Sequence, residues 1–493
     1  MAKKIVICCD GTWNEPSQKR NGTPVPTNVV KMAMAVRPRD DQGTLQLVHY
    51  VKGVGTEGTL WNRLSGGAFG TGLSDNVLEA YAFLVNNYDE GDAIYCFGFS
   101  RGAYTARSLT GLINKCGILK QEEITRLNDA YAFYKQYGIK SDSPEALSFR
   151  QKYAVEETTE IEFLGVWDTV GSLGIPLPLF YRLSSGQFRF HDTRLCPNIK
   201  NAYHALAMDE KRRLFEATLW SSPDGNGQKV EQVWFPGVHS NVGGGYADAG
   251  LADLTFDWMR EKAEACGLAL DVSRIQPELE PDPHGAIVNS RKGFYRFYLP
   301  YHRPLLGDSS QRIHNSVVQR FREDPTYRPI NLIKAVGQDT ALAAFENTQD
   351  AQTLRELVQK EKAWLKAYFN RYNLALAGFW VAAVVLFFQY GQHFARELGN
   401  AFRKTSQGFF AKLLDGFLGL PAAVADVVRG FLRVVFARPG GLEPVAWLAL
   451  GVCLLIMLEQ TARKGKNPLY ATAMALMWFP VFYFLLWSVF SLF

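Results

Sequence analysis

The sequence has no CxxC pair, no lysine or arginine tract, no internal repeat and no low-complexity segment, and each absence narrows what the chain can be. Its seven cysteines, Cys8, Cys9, Cys96, Cys116, Cys196, Cys266 and Cys453, are scattered. Such spacing argues against a disulfide framework or a structural zinc site and fits reduced thiols in a cytosol. A net charge of +5 without a basic arm gives no footprint for nucleic acid, so no nucleic-acid partner is expected. After Lys3-Lys4 the apolar run Ile5 to Cys9 is too short for a signal-peptide core, so the fold is expected to start at once, inside the cell. With 47% hydrophobic and 20% charged residues, disorder is excluded and a large core with more than one domain is within reach.

Composition divides the chain into residues 1–345, a charged linker helix over 346–372, and a membrane region over 373–493. Asn373 to Tyr390 and Leu469 to Phe493 carry no charge and are near or above the roughly 20 residues that cross hydrocarbon. Pro444 to Leu458 is a shorter third span, with a buried hairpin helix as its alternative. Near 409–436, Val424, Val427, Val428, Phe431, Leu432 and Val435 recur opposite Asp426, Arg429 and Arg433, which predicts an amphipathic helix on a membrane surface or against protein. Lys362, Lys366 and Arg371 before the first span, and Arg463, Lys464 and Lys466 before the last, place the catalytic region on the cytosolic side of the inner membrane.

The N-terminal region alternates strand and helix signals. Ile5 to Cys9, Leu45 to Val51, Ala93 to Phe97, Ile161 to Trp167 and Gln232 to Phe235 read as strands. Thr27 or Asn28 can cap a helix through Met34, and Ser74 or Asp75 a helix Val77 to Asn86. The expected fold is α/β, a mostly parallel sheet of the α/β-hydrolase type with helices on both faces, followed by an all-α membrane domain.

Gly98-Phe99-Ser100-Arg101-Gly102 matches G-x-S-x-G at the end of an apolar strand, with Ala103, Tyr104, Ala106 and Leu109 following at helical spacing. Gly98 and Gly102 are needed because a Cβ beside a strained nucleophile turn would collide with its neighbours. The bland reading is a glycine-flanked turn with an incidental serine. A serine needs a base and a group that orients it. The strand FLGVW ends at Asp168, and the strand VWF leads to His239, which is followed by a glycine-rich loop. Of eight histidines His239 is the best candidate base; His314 is the rival, expected instead to cap or brace from a helix start. The oxyanion hole should use the N–H of Arg101 and that of Gly11 or Thr12, in the loop after the first strand, with Asp10 holding the turn.

Together the stretches DGTWN, GFSRGAYTAR, GVWDTVGSLG and WFPGVHSNVGGGY resemble the type VI secretion phospholipase effector catalytic domain over about Lys3 to Asn331. The resemblance implies a triad of Ser100, Asp168 and His239 acting on a membrane phospholipid ester. Asn241 stands where the family pattern has an aspartate, and the hydrophobic C-terminus departs from a soluble secreted cargo. No metal or cofactor is needed for this chemistry; the partners are a phospholipid substrate and the bilayer, with a homo-oligomer or regulatory partner left open.

Other readings are weaker. A phosphatase using D-x-D is excluded because Cys8 occupies the first aspartate's position before Asp10. Gly66-Gly67-Ala68-Phe69-Gly70-Thr71-Gly72 lacks the lysine of a phosphate-binding loop and reads as a flexible loop beside the site. A soluble-ester esterase and a non-catalytic membrane signalling protein are the remaining alternatives.

Overall fold

The computed structural model describes residues 2–11, 14–53, 68–136, 138–170, 195–221, 227–292, 295, 300–305, 310–336, 352 and 354–359. Nine strands lie among them: β1 (Lys4–Cys9), β2 (Lys19–Arg20), β3 (Thr23–Pro24), β4 (Gln46–Val51), β5 (Ala93–Phe99), β6 (Ile161–Trp167), β7 (Ile199–Ala207), β8 (Lys229–Phe235) and β9 (Gln311–Ile313). The helices in chain order are α1 (Asn28–Ala35), α2 (Ala68–Asn87), α3 (Arg101–Cys116), α4 (Leu127–Tyr134), α5 (Pro144–Tyr153), α6 (His239–Gly243), α7 (Gly250–Ala265), α8 (Asn315–Glu323) and α9 (Ile330–Val336).

Seven strands form one sheet in the order β4-β1-β5-β6-β7-β8-β9, every pair parallel. Parallel pairing requires crossovers, and here they cover both faces. Ile5 and Ile7 of β1 and Ile94 and Cys96 of β5 point into a core shared with α2 and α3, whereas Val6, Cys8, Tyr95 and Phe97 point into a second core against α1 and α7. Alternation of apolar residues to both sides is what makes these strands nearly continuous hydrophobic runs. A third cluster joins Trp234, Ile313, Val317, Phe321, Leu332, Leu354 and Val358 at the β8–β9 end of the sheet.

The chain runs from β1 outward to β4 and then returns to β5 on the other side of β1, so the winding direction reverses between β1 and β5. In open α/β sheets ligands bind beyond the strands' carboxyl ends at such a reversal. The loops carrying Asp10, Ser100, Asp168 and His239 all leave carboxyl ends on this sheet.

Several expectations change. α2 starts at Ala68, so Ser74 and Asp75 lie inside it rather than capping it, and residues 68–72 are helical rather than loop. The Ser74 hydroxyl accepts a hydrogen bond from Tyr131 (3.0 Å), which gives it a partner other than a helix end. β7 and β9 add two strands to those the sequence pattern predicts, and α6 forms a short helix where the pattern predicts a glycine-rich loop. One compact unit spans Met1–Leu365, and Leu354 and Val358 of the expected linker are buried in its third cluster.

Among the described residues no helix is long and apolar enough to cross a membrane. The three expected spans and the amphipathic helix near 409–436 lie outside the described residues, as do Thr12 and residues 66–67.

Candidate active site

β5 delivers Ser100 directly into α3, with the serine at φ 58°, ψ −120°, a region that costs a non-glycine residue about 1–3 kcal/mol. The turn is tight enough that its glycines are obligatory. A Cβ on Gly102 would sit 2.1 Å from the carbonyl oxygen of Cys9, and one on Gly98 would sit 2.6 Å from the Cα of Ala103. The neighbouring strand holds the turn from the other side, the Ser100 N–H donating to the Trp167 carbonyl at 3.1 Å.

The structure brings the three widely separated side chains together. Ser100 Oγ lies 2.8 Å from His239 Nε2, and His239 Nδ1 lies 2.6 Å from Asp168 Oδ2. Asp168 follows β6 at φ 40°, a left-handed conformation that turns its carboxylate toward the neighbouring strand end. His239 opens α6 immediately after the β8 strand and the Pro236-Gly237 turn, and Gly244, at φ 90°, ends that helix. The imidazole is buried between Phe99 (centroids 4.7 Å apart) and the edge-on ring of Phe215 (5.1 Å), a packing that limits its rotation.

Asp168 is fully buried, and burial alone would raise its carboxyl. The Arg303 guanidinium and His239 overcome that and hold it far below the usual carboxylate range. Arg303, in the segment 300–305, is itself buried; its Nη1 donates to Asp168 Oδ1 at 2.6 Å and its Nη2 to Oδ2 at 3.0 Å. The Ala207 N–H adds a donor to Oδ1 at 2.9 Å.

The residues expected at the oxyanion hole differ in standing. Arg101 is the first residue of α3, where the helix's own carbonyl ladder has not begun and N–H groups project from the N-terminal end. The Gly11 loop abuts the nucleophile, since a Cβ on Gly11 would lie 3.2 Å from the Ser100 Cβ. In this state, however, the Gly11 N–H donates to Asp10 Oδ1 at 2.6 Å. Asp10 also accepts from Thr27 Oγ1 (2.6 Å) and Tyr50 (2.7 Å), which ties it to the start of α1 and to β4. Burial nonetheless raises its carboxyl to about 6. Thr27 does double duty, its hydroxyl also accepting from the Val30 N–H to cap α1.

Asn241 sits two residues past the histidine and fastens the loop: its Oδ1 accepts from the N–H of Val238 (3.2 Å) and Val288 (3.3 Å), and its Nδ2 donates to the Ala286 carbonyl (3.0 Å). His314 caps α8 through Nδ1, which accepts from the Ser316 N–H at 3.2 Å, and stacks on Phe235 at 4.4 Å. Burial pushes its imidazole down to about 4. It braces a helix start and is not one of the three converging side chains.

Sequence reasoning missed Arg303, Glu210 and His204. Glu210 is buried beside the site, pairs with Arg212 through two hydrogen bonds (2.9 and 2.8 Å), and accepts from the His239 N–H at 3.3 Å. Arg212 in turn lies 3.5 Å over the Phe215 ring. His204 accepts from the Thr169 N–H at 3.0 Å just past Asp168, and burial pushes its imidazole down to about 3. None of the three stands in a motif or at the end of a strand that the apolar pattern shows, so the sequence carries no signal for them.

The fold is a parallel α/β sheet that holds a serine, a histidine and an aspartate in mutual reach at its strand ends. The chain belongs to the type VI secretion system phospholipase effector family, Tle1-like, catalytic domain, whose family model matches residues 3–262. An uncharacterized protein of Saccharomyces cerevisiae is 29% identical over 237 residues, 43% of this chain and 32% of that protein, so the chain matches about a third of that relative's length. Two solved structures are similar: an uncharacterized Pseudomonas aeruginosa protein (17% identity, 57% of this chain, 49% of the other, TM-score 0.34) and a Tle1 effector bound to the VgrG spike of the type 6 secretion system (20%, 51%, 53%, TM-score 0.31).

Proposed function

We propose that this chain is a serine hydrolase that cleaves acyl esters of membrane phospholipid. Ser100 Oγ attacks the ester carbonyl while His239 Nε2 takes its proton and returns it to the departing alcohol; water, deprotonated by the same nitrogen, then cleaves the acyl-serine, freeing the fatty acid and restoring the Ser100 hydroxyl. Asp168 fixes the tautomer in which Nδ1 carries hydrogen and stabilises the imidazolium that forms. The N–H of Arg101, with a second donor from the loop after β1, receives the developing oxyanion. The observation that carries this reading is the unbroken relay of 2.8 Å and 2.6 Å contacts from Ser100 through His239 to Asp168. The family to which the chain belongs supports phospholipid as the substrate.

The uncharged stretches 373–390, 444–458 and 469–493 are proposed to anchor the enzyme in the inner membrane with its catalytic unit cytosolic, which would raise the effective concentration of lipid. The test pairs wild type with Ser100→Ala. A fluorophosphonate probe is expected to label the wild type alone, and phospholipid vesicles to yield fatty acid and lysophospholipid only with the wild type, turnover falling on the order of 10⁶-fold in the variant. A Ser100→Ala protein that keeps near-full turnover overturns the mechanism; turnover of a soluble ester with intact vesicles overturns the substrate.

A further inference from the structure

We propose that Arg303 is a positioning residue that completes the catalytic relay by fixing the Asp168 carboxylate through both of its oxygens; this rests on the relay proposed above. An ionised carboxylate offers about four acceptor positions. Those of Asp168 are all taken: Oδ1 by the Ala207 N–H and Arg303 Nη1, Oδ2 by His239 Nδ1 and Arg303 Nη2. Two donors from one planar fork leave the carboxylate no rotation, and so leave the histidine a single direction in which to be held.

The guanidinium is as constrained as the group it holds. Its Nη1 also donates to the Ala207 carbonyl at 2.7 Å, at the end of β7, and its Nη2 to the carbonyl of Phe215. Phe215 is the residue whose ring edge meets His239. Arg303 therefore joins the carboxylate, the β7 strand end and one wall of the imidazole's slot. The charge is equally apt. Arg303 sets a positive charge against the buried Asp168 carboxylate, and its Nη2 shares Oδ2 with His239 Nδ1, so one oxygen is held by both groups. Arg303 lies outside the residues 3–262 matched by the family, in a segment with no regular secondary structure, anchored by the Asn331 Nδ2, which donates to its carbonyl at 3.3 Å.

The test is a double-mutant cycle on the full chain with a soluble aryl ester as probe, comparing Asp168→Asn, Arg303→Gln and the pair. Arg303→Gln is expected to lower kcat about 10- to 100-fold with KM little changed, as loss of an outer orienting partner does elsewhere. In the Asp168→Asn background the same substitution should cost almost nothing, because there is no longer a carboxylate to orient. Arg303→Lys keeps the charge without the fork and should recover only part of kcat. If Arg303→Gln does not fold, Arg303→Lys closes the same cycle. Equal losses in both backgrounds, or a folded Arg303→Gln with wild-type kcat, overturn the inference while leaving the relay intact. An Asp168→Asn protein of unchanged kcat overturns the relay itself.

Discussion

Asp10 is the side chain whose surroundings oppose its charge most openly. Its carboxyl, raised by burial to about 6 despite three strong donors, binds a proton in the folded protein at pH values where the unfolded chain has released it. Between about pH 4 and pH 6 stability should therefore fall as pH rises, by on the order of 3 kcal/mol from this group. Asp10→Asn should remove that slope, so the difference in melting temperature between variant and wild type grows in the variant's favour across the window and then levels; a constant difference would refute the assignment. Asp168 works in the opposite sense. Its depressed carboxyl contributes stability above the unfolded carboxylate range that is lost as pH drops below it. Ser100, Asp168 and His239 were legible in sequence because each ends or follows an apolar strand within a motif. Arg303 was not, since YHRPLL has no periodicity and its partner is a residue 135 positions away.

Among elements, α1 and α7 are joined across the second core by Lys31 and Asp253, an ion pair buried on both sides. Burial lowers the lysine's proton affinity and Asp253 opposes that. Lys31→Met should cost about 3–5 kcal/mol by stranding a buried carboxylate, whereas Lys31→Met with Asp253→Leu should regain most of it, read from urea midpoints at constant m. Equal losses in single and double variants would show that the pair's charge is not the issue. Five of the seven strands of the main sheet were legible as apolar runs. β7 escaped because Lys200, Asn201 and His204 interrupt it, and β9 because three residues carry no pattern. The position of α2's start escaped because glycines, which normally argue against helix, are carried within it.

For the whole molecule, the third cluster sets where the catalytic unit can be cut. Leu354 and Val358 bury fully in it, so a chain ending at 345 exposes sites worth about 1.5–3 kcal/mol each, and one ending at 365 keeps them. The shorter protein should melt lower than the longer one in the same buffer; identical melting temperatures would mean that this stretch contributes nothing to the unit. The order of the chain has a last consequence. Serine, aspartate and histidine are synthesised by residue 239, but the guanidinium that brackets the aspartate arrives only at 303 and the edge strand β9 later still. A nascent chain on the ribosome thus carries Ser100 well before the last supporting groups emerge, so the proposed relay is completed only after most of the sheet has been made.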